Sequence, residues 1–261
     1  MKELEKLLSH VRKASQHYGM IAPDDLVVVG MSGGKDSAAL LYALAAMRRF
    51  YPVPYEVAGV SVDLGFPDTD GLFTPVADFC RDLGVEYRIV KTEIAPIVFE
   101  ARREKNPCSL CAKMRRGALT DAVRTMGGTK LALGHHLDDA AETFLLSLLE
   151  DGRIGSFSPV TVYEDRGISV IRPLIYAREY EIRALVRAAS LPVVKSPCPE
   201  DGNTARAEML ELMKSLGKKH RGLPEKLVGA LERRGIDGWS ESAVSGDRTE
   251  EKTFSELTKS S

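Results

Sequence analysis

Short apolar runs recur along the chain at Leu26–Met31, Val57–Val62, Tyr87–Val90 and Lys130–Leu133, with a further one at Ile168–Ile171. They are β-branched or leucine-rich, as strands covered on both faces are. Between them apolar residues fall at helical spacing over Ser37–Phe50, Leu72–Leu83 and Leu110–Met126. Strand and helix therefore alternate, which predicts an α/β, Rossmann-like fold with a twisted parallel sheet and helices on both faces. Pro173 precedes another amphipathic helix, a Pro-rich loop follows Leu191, helical text then runs through Leu216, and a last helix is expected over Pro224–Arg233. The opening "MKELEKLLSHVRKASQHYG" mixes acids and bases among its leucines, so it reads as an amphipathic helix and not a signal peptide. The expected organisation is a helix over 1–22, one catalytic domain over 23–236, and a polar, disordered tail over 237–261.

Composition narrows the class. A chain of 261 residues with 44% apolar and 28% charged residues can bury one sizeable core. A formal net charge of −1 gives no global attraction to nucleic acid, so a polyanionic partner needs a local basic patch. No run approaches membrane-spanning length, so no membrane partner is expected and the cytoplasm is the default. Four cysteines are too few for a secreted disulfide scaffold; in a reducing compartment, clustered thiols point to metal binding or catalysis.

The densest chemistry lies in "LVVVGMSGGKDSAALLYAL", where Ser32, Gly33, Gly34, Lys35, Asp36 and Ser37 separate a strand pattern from a helix pattern. Glycines there let backbone N–H groups approach oxygen atoms, and the helix N-terminus adds a positive field, so phosphate is the expected ligand. A Walker loop is excluded because Asp36 follows Lys35 where Ser or Thr is needed, and because Val29 stands in place of the upstream glycine. A dinucleotide fingerprint is excluded because Ser32 occupies the position of its second glycine.

Cys108 and Cys111 form a C-x-x-C at the start of a helix, and Cys198 stands alone in "KSPCPEDG". That spacing suits zinc, a redox pair or an iron–sulfur cluster. Zinc would want a fourth ligand such as His220, whereas three thiolates can hold three irons of a [4Fe–4S] cluster and leave one open. Cys80 shares an apolar stripe with Val76 and Leu83 and reads as a core thiol. Three basic segments accompany the thiols: Arg102-Arg103-Lys105, Lys113-Arg115-Arg116 and Lys214-Lys218-Lys219-Arg221. Each is either a solvated helix face or a contact for polyanion.

The hexapeptide Ser32–Ser37 resembles the PP-loop of the ATP pyrophosphatases, which cleave ATP between its α- and β-phosphates to activate a substrate as an adenylate. Together with "CSLCAKMRRG", "GHHLDD", "VIRPLIYAREYEI" and "SPCPEDG", it is similar to the TtcA-type tRNA 2-thiocytidine synthetases over roughly residues 26–221. The segment "AAETFLLSLL" after Asp139 looks more like the tRNA-lysidine synthetases. The resemblance implies ATP, Mg²⁺ and a [4Fe–4S] cluster as cofactors, with Cys108, Cys111 and Cys198 as cluster ligands. It implies nucleotide contacts from the loop, from Val60 and Ser61, and from Gly134 and Asp139, with His135 and His136 as supports. Lys35, Asp36, Asp139 and Arg115 would be catalytic; Lys113, Arg116, Lys218 and Lys219 would contact tRNA. Implied partners are tRNA, a sulfur donor (a cysteine desulfurase or free sulfide) and a second copy of the chain. A ligase of the lysidine type with structural zinc, and a nucleotide-binding module without turnover, are the competing readings.

Overall fold

The computed structural model describes residues 1–101, 107–200 and 205–240. Its strands are β1 (Asp25–Gly30), β2 (Tyr55–Asp63), β3 (Glu86–Lys91), β4 (Lys130–Ala132), β5 (Val160–Tyr163) and β6 (Ile168–Ile171). Its helices are α1 (Lys2–His17), α2 (Lys35–Met47), α3 (Thr74–Asp82), α4 (Pro107–Thr125), α5 (Leu137–Glu150), α6 (Glu179–Ala188), α7 (Ala205–Lys219) and α8 (Leu223–Arg234). The strands form one sheet in the order β3-β2-β1-β4-β6-β5.

Every expected strand and its parallel pairing is present, but the sheet is mixed and not wholly parallel. β5 pairs antiparallel with β6, from Val160↔Ile171 to Tyr163↔Ile168. A short turn at Glu164–Arg166 connects them and closes on Gly167 at φ 64°. The run Val160–Tyr163 lies at the sheet edge with Val162 exposed, so it lacks the long apolar signature that marks the inner strands.

α2 is buried over almost its whole length, because β1 lies on one side of it and α1 and α6 on the other. Leu7, Val11 and Ala14 of α1 belong to the same core as Leu40, Leu44, Ile182 and Leu231. The first helix is therefore an integral layer of the domain. α4 covers the opposite sheet face, where Val123 joins Val28, Leu131 and Val170. Packing also runs past the expected boundary at Asp237: Trp239 is fully buried and donates its indole N–H to the Phe157 carbonyl at 2.9 Å. The tail expected to be disordered from Asp237 is thus packed through Trp239, and positions 241–261 lie outside the described residues.

Chain order reverses between β1 and β4, both parallel to their neighbours. In open α/β sheets a crevice at the carboxyl ends of the strands opens at such a reversal, between loops that diverge to opposite sides. Here those loops are residues 31–34 and 133–136.

Candidate functional site

The first loop is drawn tight by its own hydrogen bonds. Met31 N–H donates to the Val60 carbonyl at 2.7 Å, and Gly34 N–H donates to Ser32 Oγ at 3.2 Å. Ser37 Oγ donates back to the Gly34 carbonyl at 2.9 Å. Gly33 lies at φ 83°, a region costly to residues with a Cβ, and a Cβ there would meet Val194 at 3.1 Å. Val194 in turn donates its N–H to the Gly33 carbonyl at 2.8 Å, so the segment leading to Cys198 straps the loop from above. Gly34 is the N-cap of α2 and offers no side-chain acceptor, which leaves the first N–H groups of the helix available to an anion.

The second loop closes against the first. A Cβ at Gly134 would approach the Asp36 carbonyl carbon and the Ser37 nitrogen at 3.1 Å, so glycine permits backbone-to-backbone contact there. His136 caps α5: Asp139 N–H donates to His136 Nδ1 at 3.4 Å, and His136 N–H donates to Asp139 Oδ2 at 2.9 Å. His136 Nε2 lies 3.8 Å from Asp36 Oδ1, beyond hydrogen-bond reach. Asp36 Oδ1 is buried and has no hydrogen-bond partner. An anionic oxygen without a donor is what a hard divalent cation engages, so Asp36, with Asp139 in the same wall, fits Mg²⁺ on a triphosphate.

Lys35 Nζ lies 2.9 Å from Asp36 Oδ2 and 3.1 Å from Glu179 Oε1. Burial alone would depress its ammonium, but the charges of Asp36 and Glu179 outweigh that and hold its pKa above the usual lysine value. Burial likewise raises the Glu179 carboxyl, and the bonds from Arg183 and Lys35 carry it below the usual range.

The two loops open onto a cavity of about 490 Å³. One end is walled by Ser32, Asp36, Ser37, Gly134 and Asp139, and the side by Val62, Asp63, Leu64, Phe66 and Phe73. The other end is walled by Ala112, Arg115 and Arg116 of α4 and by Lys195, Ser196 and Pro197. Cys111 and Cys198 adjoin those last residues directly in sequence, so the thiol segments and the phosphate loop share one crevice.

Val60 and Ser61 do not reach it. Both are fully buried, Ser61 Oγ donating to the Met31 carbonyl at 2.7 Å while accepting from the Tyr87 hydroxyl at 2.7 Å. They brace the loop from below, and Val62 to Leu64 form the wall expected of them. Asp63 both lines the cavity and ends β2, its Oδ1 accepting from Gly65 N–H at 3.0 Å.

Cys108 is exposed and Cys111 and Cys198 are half-buried, whereas Cys80 is in the core, where burial pushes its thiol up to about 11. Burial also raises the Cys111 thiol; Arg115 opposes this, and Cys198 and Cys108 reinforce it. That donor set of three soft ligands, with no carboxylate or imidazole among them, suits an iron–sulfur cluster. Among the described residues no group of three Cys, His, Asp or Glu side chains is gathered to metal-holding distance, and none includes His220.

Arg115 and Arg116 are exposed on the cavity rim. Lys113 is exposed on the same helix outside the lining, and Lys218 and Lys219 end α7, away from the lining. Arg102, Arg103 and Lys105 lie outside the described residues. Sequence reasoning missed Glu179 and the Val194 strap. "AREYEI" reads as an ordinary amphipathic helix start, and a backbone donor such as Val194 leaves no side-chain signal.

A family model described as a PP-loop domain matches residues 4–215. The tRNA-cytidine(32) 2-sulfurtransferase of Geobacter sulfurreducens is 36% identical over 230 residues, covering 87% of this chain and 89% of the relative. That of Syntrophotalea carbinolica is 37% identical over 223 residues, covering 84% and 85%. Among solved structures, the U34-tRNA thiolase NcsA from Methanococcus maripaludis with its [4Fe-4S] cluster superposes with a TM-score of 0.72 at 26% identity, covering 88% of this chain and 78% of that one.

Proposed function

The chain belongs to the PP-loop family and, within it, to the tRNA-cytidine(32) 2-sulfurtransferases, and we propose that it replaces the C2 oxygen of a tRNA cytidine by sulfur at the expense of ATP. One observation carries this reading: the phosphate loop and the segments bearing Cys108, Cys111 and Cys198 open onto the same cavity. An oxo group is a poor leaving group, so it must first be activated. The cytidine O2 attacks the α-phosphorus of ATP and pyrophosphate leaves; sulfur then attacks C2, and the original oxygen departs with AMP.

Each half of the cavity has a task. The N–H groups at the start of α2 and the Lys35 ammonium stabilise charge developing on the phosphates, which preorganised donors do without reorganising. Asp36 and Asp139 would be the oxygen ligands for Mg²⁺, and Phe66 and Phe73 with Val62 give the nucleoside an apolar wall. Cys108, Cys111 and Cys198 would hold the [4Fe–4S] cluster, which when bound would supply a binding site for sulfur. Arg115 and Arg116, one turn beyond Cys111, orient the adenylated base between the two ends.

The tRNA approaches over α4, with Lys113 and Arg116 at the rim and Lys218 and Lys219 as outlying phosphate contacts. Sulfur comes from a cysteine desulfurase or as free sulfide. A second copy of the chain covers Leu148, Leu149 and Ile154, which are exposed at the end of α5 and just beyond it. No helix among the described residues is long and apolar enough to cross a membrane, and a tRNA substrate supports a cytoplasmic site of action.

The test is reconstitution without oxygen. Cluster-loaded protein, ATP, sulfide and unmodified tRNA should yield 2-thiocytidine in digested nucleosides, measured by mass spectrometry. Thiouridine in place of thiocytidine, or pyrophosphate release without sulfur incorporation, would overturn the assignment.

A further inference from the structure

Two carboxylates compete for the Lys35 ammonium, and only one of them belongs to the loop motif. Asp36 Oδ2 is the neighbour in sequence at 2.9 Å, whereas Glu179 Oε1 reaches over from the start of α6 to 3.1 Å. Ser32, Asp36 and Ser37 line the cavity while Lys35 does not, so its ammonium is drawn aside toward α6.

Glu179 does not need that lysine for its own stability. It is the first residue of α6, where the helix field favours a carboxylate, and Arg183 one turn later donates to the same Oε1 at 2.7 Å. Its side chain is 33% exposed, so this is a removable contact and not a core ion pair. Its backbone is tied to the other loop: Glu179 N–H donates to Asp138 Oδ2 at 2.7 Å, and Arg178 Nε donates to Asp138 Oδ1 at 3.0 Å. The start of α6 thereby touches the loop lysine through a side chain and the α5 N-terminus through a backbone bond.

We propose that Glu179 is a positioning residue for adenylation, sharing the Lys35 ammonium with Asp36 so that the loop lysine is anchored to the start of α6 and poised for the triphosphate. This rests on the PP-loop reading of the site. Without Glu179 the ammonium keeps only its neighbour in sequence, Asp36, and loses the contact that fixes its direction relative to α6.

The experiment compares Glu179→Gln, which keeps shape and removes charge, with Glu179→Asp, which keeps charge. The readouts are pyrophosphate release, equilibrium ATP binding, thermal unfolding, and acetylation of Lys35 in nucleotide-free protein followed by peptide mass spectrometry. For Glu179→Gln, kcat should fall by about tenfold with ATP affinity changed by less than about threefold, on the scale of one misplaced transition-state donor. Lys35 acetylation should rise severalfold, because a side chain released from the start of α6 is more open to the reagent. Glu179→Asp should recover most of both. Wild-type kcat and Lys35 labelling in Glu179→Gln would overturn the proposal, as would a fall in unfolding temperature that accounts for the loss in both variants. Lys35→Ala separates this from the premise: wild-type pyrophosphate release in that variant defeats the PP-loop reading itself, whereas an inert Glu179→Gln beside a dead Lys35→Ala defeats only the role of Glu179.

Discussion

At the phosphate end of the cavity, six consecutive residues build most of the site; at the thiol end, Cys111 and Cys198 arrive from opposite halves of the chain. The loop Ser32–Ser37 is held by bonds within itself and to the backbone of β2, so its donors are in place without a ligand. Cys111 senses both Cys108 and Cys198, yet among the described residues no three ligating side chains are gathered to metal-holding distance. A site made of backbone amides is finished when the strand and helix form. A site made of distant side chains is completed by what it binds, and binding energy then enters folding energy.

That contrast breaks first at single residues. Cys111→Ala should abolish thiolation and iron retention while leaving ATP affinity unchanged, read by iron and sulfide analysis beside equilibrium nucleotide binding. Lys35→Ala should do the reverse, cutting pyrophosphate release by roughly 10²–10³-fold with full iron content. A colourless Lys35→Ala protein would mean that the two ends are not separable.

Gly134→Ala sharpens the claim that the phosphate end is backbone-built. Its Cβ would press on the Asp36 and Ser37 backbone, and overpacking of that kind costs about 1–3 kcal/mol. Chemical denaturation should show the loss, and ATP binding should weaken with it.

The Lys35–Glu179 pair predicts a flat response to pH across the neutral range. Glu179 is held below its reference value of 4.5, so its contribution is present above that value and lost as pH falls through the folded value. Lys35 is held above 10.5, so its contribution is present below that value and lost as pH rises through the folded value. Nucleotide affinity measured between these limits should show no transition from either group.

The smallest effect should be at Cys80. Its thiol, pushed up to about 11 and out of contact with solvent, should alkylate far more slowly than Cys108 in cluster-free protein, and Cys80→Ala should keep its iron.

The same contrast decides what could be read from residue order. The parallel strands and the phosphate loop were legible because their signals are local: apolar runs, and a glycine pair at a strand–helix junction. The edge strand Val160–Tyr163 was not, since a short half-exposed strand carries little apolar excess. The family resemblance implied nucleotide contacts from Val60 and Ser61, whereas both are buried beneath the loop and brace it. Glu179 acquires meaning only through the fold, which carries α6 across to the start of α2.

Trp239 turns the architecture into an optical instrument. It is the chain's one tryptophan, fully buried and bonded to the Phe157 carbonyl, and the Phe157 ring lies tilted 5.0 Å from His135 in the cavity wall. Intrinsic fluorescence excited at the indole therefore comes from a single point, behind the catalytic crevice. Blue-shifted emission reports that the last turn is seated, and quenching on nucleotide addition would track motion of the crevice wall without any label.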